Sequence, residues 1–434
     1  MNKIATNKWI FFLIVISLIS VKFYYLYVSN LNTNYSNETA YEGGADASHY
    51  LIIAKNIADF NVYSDTNSEI PSENATWRPP FWPFVLSLFL RFTTNPLALI
   101  LLKSILEVFL LGYILFKFRN DTNIKLIGLL PFCFILIEPQ YLKYSITFLS
   151  ESLTAILILG LIVLFISLKN TKRSHIAIPI LAAFVVLCHP VSVFFVGSLL
   201  LIYLIYNWRI NRVNGVFHCL LFALIVFSWP CRNAITFDKG LYLTASQGAT
   251  LAKGWNEKVS TEFTNSEGDL ADEGLNLKYV DPKLVAHAHS SIVDLSQVYT
   301  LGTKNYIEGI GFGEIAKIAL KKIKSNFNPF PERPKPGTLE TLSVFFRILY
   351  LVVFILMIVR FFRKIKIDFN SLKDRIYLVV LAIFVGELLM SVYIYTGLRF
   401  NAIYSLSLLF CFIYLIIDLL MNKLNKELIY YVKT

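Results

Sequence analysis

The chain is built around apolar stretches close to the length that spans a bilayer. WIFFLIVISLISVKFYYLYV (9–28) and SLTAILILGLIVLFISL (152–168) are two of them, and about 20 consecutive apolar residues suffice to cross the hydrocarbon core as a helix. With no water there to satisfy backbone groups, such stretches have to be helical. Composition agrees: 56% of the 434 residues are hydrophobic and 16% charged, against about 25% charged in soluble domains. The sequence predicts an all-α polytopic membrane protein.

The net charge of +11 does not describe a nucleic-acid-binding face. The positives sit in short loops between apolar stretches, at Lys117/Arg119/Lys125, Lys169/Lys172/Arg173, Arg209/Arg212 and from Arg360 to Arg375. That is the positive-inside pattern of cytoplasmic loops. Residues 30–78 carry seven acidic residues against Lys55 and Arg78, so this loop is placed outside. Counting crossings from a cytoplasmic N-terminus gives about ten spans. The first lies in 1–29, read as a retained anchor because no small-residue cleavage site follows it. An external loop over 30–94 follows, with a short embedded helix at 78–92. Spans at 95–117, 124–139, 146–168, 175–189, 190–208 and 214–232 fill 95–236. A second external loop covers 237–342, and spans at 343–361, 375–396 and 400–421 occupy 343–434 and return the C-terminus to the cytoplasm. In the second loop, 304–327 has apolar residues at 315, 318, 319 and 323 and Lys317, Lys321, Lys322 and Lys324 opposite them, the pattern of a helix lying on the membrane surface. The cysteines at 133, 188, 219, 231 and 411 form no CxxC and imply neither a disulfide framework nor a zinc site.

Candidate chemistry gathers toward the external side. In EGGADASHYLIIAKNIADF (42–60), Asp46 opens a helix whose apolar face is Ala47, Tyr50, Leu51, Ala54, Ile57 and Ala58. An aspartate there suits an N-cap at the positive end of the helix dipole, and it equally suits a catalytic carboxylate. His49, three residues on, is a candidate metal partner, as are His287 and His289 in the second loop. Arg78, Glu151, His189, Arg232 and Arg399 fall at the external ends of spans. Arginines at that depth either snorkel to head groups or hold an anion through the planar guanidinium fork. Within the bilayer, Lys103 and Glu107 are four residues apart and read as a neutralising pair, whereas Glu387 has no evident partner.

Five short motifs, in order, resemble those of the GT-C glycosyltransferases, in the branch of protein O-mannosyltransferases and lipid A aminoarabinose transferases. They are the acidic first loop closing on WRPP (77–80), FLSESL (148–153), LCHPVS (187–192), WPCRN (229–233) and LRFNAIYSL (398–406). The chain departs from that pattern in carrying His189 where relatives have arginine or lysine, and in keeping one arginine of two at Arg399-Phe400-Asn401. The resemblance implies a GT-C-like helical bundle with two external loops. It implies a hexosyl- or pentosyltransferase moving a sugar from a polyprenyl-phosphate donor to a lipid, glycan or protein acceptor, inverting the anomeric centre, on the extracytoplasmic side of the cell membrane. Asp46 is then the catalytic base; Arg78, Arg232 and Arg399 bind the donor phosphate; and Glu151, His189 and Tyr50 orient the acceptor or loop. No cofactor is required by this reading, and a divalent metal is left open. No P-loop or dinucleotide fingerprint is present, which favours a lipid-linked donor over a nucleotide sugar; the loop-by-loop placing of the positive charges gives no nucleic-acid partner. The alternatives are a transporter or flippase of a lipid-linked sugar, and a non-catalytic membrane subunit of a glycan assembly complex.

Overall fold

The computed structural model describes residues 9, 13, 16–17, 19–25, 45–66, 68–122, 135, 137–167, 172–210, 212–261, 272–330, 338–363, 367–369, 371–394 and 398–433. Among them there is no strand, and the protein is an all-α polytopic membrane protein. Among the described residues, five helices are long and apolar enough to cross a membrane: Pro96–Asn120, Val213–Phe237, Leu342–Arg363, Leu372–Tyr393 and Phe400–Leu419. The expected span at 124–139 lies largely outside the described residues.

The helices are numbered here in chain order. α1 is Ala45–Phe60, α2 Phe81–Leu90, α3 Pro96–Thr122, α4 Pro139–Ser145, α5 Glu151–Ile166, α6 Lys172–Cys188, α7 Val193–Ile210 and α8 Arg212–Phe237. The second loop contributes α9 (Gln247–Gly254), α10 (Glu257–Thr261), α11 (Pro282–Ala288), α12 (Ile292–Gly309) and α13 (Phe312–Phe327). Then come α14 (Thr338–Arg363), α15 (Leu372–Tyr393) and α16 (Leu398–Lys433).

α5 is the axis of the bundle. It is apolar all round, and Ala155, Ile156, Ile158, Leu159, Leu161 and Ile162 are each fully buried, as expected of a helix enclosed by protein on every side. α3, α6, α7, α14, α15 and α16 contribute with it to one continuous core. α15 approaches α7 closely because Gly386 has no side chain; a Cβ there would stand 2.7 Å from Phe195 Cα. A short helix, α2, falls within the 78–92 stretch and is anchored by Trp82, whose indole donates to the Phe148 carbonyl at 2.5 Å.

A buried charge cluster joins four segments. Glu107 on α3 meets Lys22, in the stretch read as the first span, at 2.5 Å and Lys103 at 3.7 Å, and also accepts from Ser152 on α5 at 2.6 Å and Tyr141 on α4 at 3.1 Å. The expected Lys103–Glu107 pair is therefore the longer of two. Lys103 spends its ammonium chiefly on the carbonyls of Tyr144, Thr147 and Leu149, at 3.0, 2.5 and 3.3 Å, and so fixes the turn between α4 and α5.

The expected surface helix at 304–327 is two helices, broken at Ile310–Gly311 between α12 and α13. Its polar face also differs from expectation. Lys322 is fully buried, donating to the Val392 carbonyl at 2.9 Å and lying 4.4 Å from the Trp255 ring centroid. Burial pulls its ammonium well below the usual lysine range. The reason is register: 315, 318, 322 and 326 share one helix face, so Lys322 belongs with Ile318 and not with the exposed Lys317.

Candidate active site

α1 starts at Ala45 and leaves Asp46 in its first turn, where a carboxylate is favoured by the exposed helix N–H groups. The helix is held by Ala47, Tyr50, Ile53, Ala54 and Ile57, all buried. The chain then returns through a 3₁₀ turn, Asn74–Trp77, to Arg78. Arg78 hydrogen-bonds Asp46 through Nη2, and its Nε donates to His49 Nδ1 at 3.2 Å. Because Nδ1 accepts, the ring proton of neutral His49 sits on Nε2, which lies 3.4 Å from Asp65 Oδ2. Burial alone would raise the Asp65 carboxyl, but the His49 and Ser72 side chains hold it below its ordinary value. The result is a chain of contacts from Asp65 through His49 and Arg78 to Asp46.

Aromatic groups and loop contacts fix this chain in place. The Arg78 guanidinium lies 5.4 Å from the Tyr50 ring centroid, within cation–π range. Tyr63 donates its hydroxyl to the Arg78 carbonyl at 2.9 Å; burial keeps that hydroxyl well above the usual phenol range, so it remains a donor. Glu73, just before the 3₁₀ turn, accepts from Ser291 Oγ at 2.5 Å and from the Val293 amide at 2.9 Å. The Ala245 amide donates to the Thr76 carbonyl at 3.0 Å. The first loop is thus tied to the second at two places.

Asp46, Tyr50, Arg78 and His189 line one cavity of about 410 Å³ at the end of the bundle that carries both long loops. Its opposite wall comes from α9, with Gln247, Thr250 and Lys253, and from Tyr393 and Phe400 at the ends of α15 and α16. His189 closes α6 and stands 3.9 Å from Glu151, which is buried in the first turn of α5 behind the wall. Arg232 does not line the cavity. It donates to Asn233 at 3.1 Å and lies over the rings of Trp229, Tyr63 and Phe237 at 5.1, 5.8 and 5.3 Å. The side chain of Arg399 is outside the described residues.

Sequence reasoning missed Lys253 and Asp65. Lys253 shares a helix face with Ser246 and Thr250, at i, i+4 and i+7. The opposite face of α9 is small (Gly248, Ala249, Ala252, all buried), and a Cβ on Gly248 would fall 1.8 Å from the Ser296 carbonyl. That small–polar alternation was the available signal for a helix pressed between a partner and a cavity.

Among the described residues, no group of three or more His, Cys, Asp and Glu side chains is placed to hold a metal ion. The cation between Asp46 and His49 is the Arg78 guanidinium. His287 and His289 are exposed around the end of α11.

No family model matches the chain, and no curated protein matches it. Among solved structures it is similar to the archaeal oligosaccharyltransferase AglB from Archaeoglobus fulgidus, in complex with an inhibitory peptide and a dolichol-phosphate. The identity is 11% and the TM-score 0.47, over 97% of this chain and 52% of that one. The chain thus spans about half the length of that protein.

Proposed function

We propose that this protein is a membrane glycosyltransferase that moves a sugar from a polyprenyl-phosphate carrier to an acceptor at the Asp46 cavity, with inversion. The observation that carries the reading is a carboxylate and an arginine paired in the wall of one roomy cavity, at the end of a bundle of apolar helices. A lipid-linked donor needs that layout: its tail stays in the hydrocarbon while its phosphate reaches a cation at the interface. The positive-inside pattern of the short loops supports an extracytoplasmic position for this end.

In the proposed step, the acceptor hydroxyl gives its proton to Asp46 as its oxygen bonds the anomeric carbon. The bond from that carbon to the phosphate oxygen breaks, and polyprenyl phosphate leaves with the electron pair. Asp46 acts as general base, and Arg78 and Lys253 are the cavity's cations for the departing charge. Arg78 serves both ends of the step. Its Nη2, which bonds Asp46, turns to the phosphate when the donor enters and frees the carboxylate. His49 Nδ1 keeps Nε in place as the pivot. Glu151, buried behind His189, positions that ring, and Tyr50 carries the guanidinium on its face.

The test is release of free polyprenyl phosphate by purified protein supplied with lipid-linked sugars and membrane acceptors from the host. Wild type releases it, and Arg78→Leu slows release by about 100- to 1,000-fold, the usual loss when one charge-stabilising group is removed. Release that is unchanged in Arg78→Leu sinks the pivot. Uptake of labelled donor across vesicles without release favours a transporter instead.

A further inference from the structure

A second recess lies at the loop end of the bundle, beyond the Asp46 cavity. It is lined from α13, α14, α15 and α16, with Gln140 at one side, and its volume is about 40 Å³. By the measure that about 10–15 Å³ admits one water, it accommodates a group of three or four heavy atoms.

Its lining holds polar groups that the protein leaves without partners. Arg347 donates Nη1 to the Asn328 carbonyl at 3.2 Å, while its Nη2 is buried with no hydrogen-bond partner. Asn326 is 7% exposed, and both its side-chain oxygen and nitrogen lack partners. Asn401 gives Nδ2 to the Asn326 carbonyl at 3.2 Å, which leaves its buried Oδ1 unused. Glu387, 4% exposed, faces the same space, and no ion pair joins it to Arg347 among the described residues. Buried polar groups are nearly always hydrogen-bonded, so four such atoms around one opening point to an occupant. By contrast Glu138, close by, is fully engaged by Tyr350, Ser405 and the Tyr141 amide and asks for none.

The chemistry of the lining selects the occupant. A lone anion would meet Glu387, and a lone cation would meet Arg347. A neutral group that both donates and accepts satisfies each. Arg347 Nη2 and Asn326 Nδ2 supply donors; Glu387, Asn326 Oδ1 and Asn401 Oδ1 supply acceptors. Phe327 and Phe354 add apolar walls. We propose that this recess binds a vicinal diol of a sugar, two adjacent ring hydroxyls held between Arg347, Glu387 and the two asparagines. This site stands independently of the reading given to Asp46, since it rests on none of that cavity's residues.

The test uses the full chain in a polyoxyethylene detergent free of sugar. Saturation-transfer NMR titrations give the affinity for methyl glucopyranoside, a free sugar, and for dodecyl glucopyranoside, a lipid-anchored one; tetrahydropyran-2-methanol, which lacks a vicinal diol, is the control. Both variants, Glu387→Gln and Asn326→Leu, are expected to bind about tenfold or more weakly than wild type, as loss of a hydrogen bond to a charged or buried group requires. Binding of the methyl glycoside identifies free sugars as ligands, and binding of the dodecyl glycoside alone identifies lipid-linked ones. A cryo-electron-microscopy map with the bound glycoside reports the place directly, whether or not the variants fold: two adjacent hydroxyl oxygens between Arg347 and Glu387 are expected. Isolated water peaks there, wild-type affinity in both variants, or an affinity for the control equal to that for the glycosides overturns the proposal.

Discussion

Asp46→Asn is expected to lower polyprenyl-phosphate release by about 100- to 10,000-fold, the range assigned to a positioned general base, while the protein stays folded. The substitution separates chemistry from structure. Asparagine gives up only the favourable charge of a carboxylate in the first turn of α1, about 0.3–1 kcal/mol, and its Oδ1 can still accept from Arg78. The pair is part-buried, with Arg78 13% and Asp46 30% exposed, but it borders a wide cavity and is worth on the order of 1 kcal/mol. A residue that only capped α1 and paired Arg78 would therefore be replaced with little effect on either stability or turnover. Turnover in lipid-linked donor and the thermal midpoint in detergent should be read on the same preparation. An active Asp46→Asn variant would return the carboxylate to the role of a cap.

The largest loss of stability is expected from Glu107→Leu. Glu107 is fully buried and compensates both Lys22 and Lys103, themselves buried. Removing it strands two charges. Breaking a buried pair at one partner costs about 3–5 kcal/mol, and the hydroxyls of Ser152 and Tyr141 lose their acceptor as well. Glu107→Gln keeps an acceptor for those hydroxyls and should cost less. Equilibrium unfolding in mixed micelles would show the order wild type, Gln, Leu; a leucine variant as stable as wild type would mean that the lysines find water. Replacing Glu107 also unseats Lys103 from the turn that leads into Glu151, so loss of activity would accompany loss of stability.

What the sequence made legible, and what it hid, divides along the range of the contacts involved. The amphipathic face of α1 was readable because Ala47, Tyr50, Ala54 and Ile57 recur at helical spacing, and all four are buried. Ile53 and Asn56 are buried too, because the helix is covered on a second side by its own returning loop; Asn56 donates to the Ser64 carbonyl at 2.7 Å. Asp46 and Arg78 were read as separate groups on the external side, a base and a phosphate ligand; that they pair depends on how the first loop returns to the start of α1. Lys253 and Asp65 reach the site only through packing between distant segments, which periodicity does not record. Lys322 misled for the opposite reason: its charge outweighed its register, and the Val392 carbonyl and the Trp255 ring together explain how the fold tolerates it. Arg232 lies over its chain neighbours Trp229 and Phe237 and over Tyr63, which is distant in the chain.

The tie made by Glu73 has a mechanical consequence. Its carboxylate fastens the start of α12 to the turn that delivers Arg78, so the two loops cannot part without pulling on the guanidinium. A binder raised against the exposed surface of α11 and α12, with no access to the cavity, would therefore act as a brake on the reaction, arresting Arg78 at a distance. The same linkage makes the protein's far rim, and not its crowded centre, the accessible handle for an inhibitory antibody fragment.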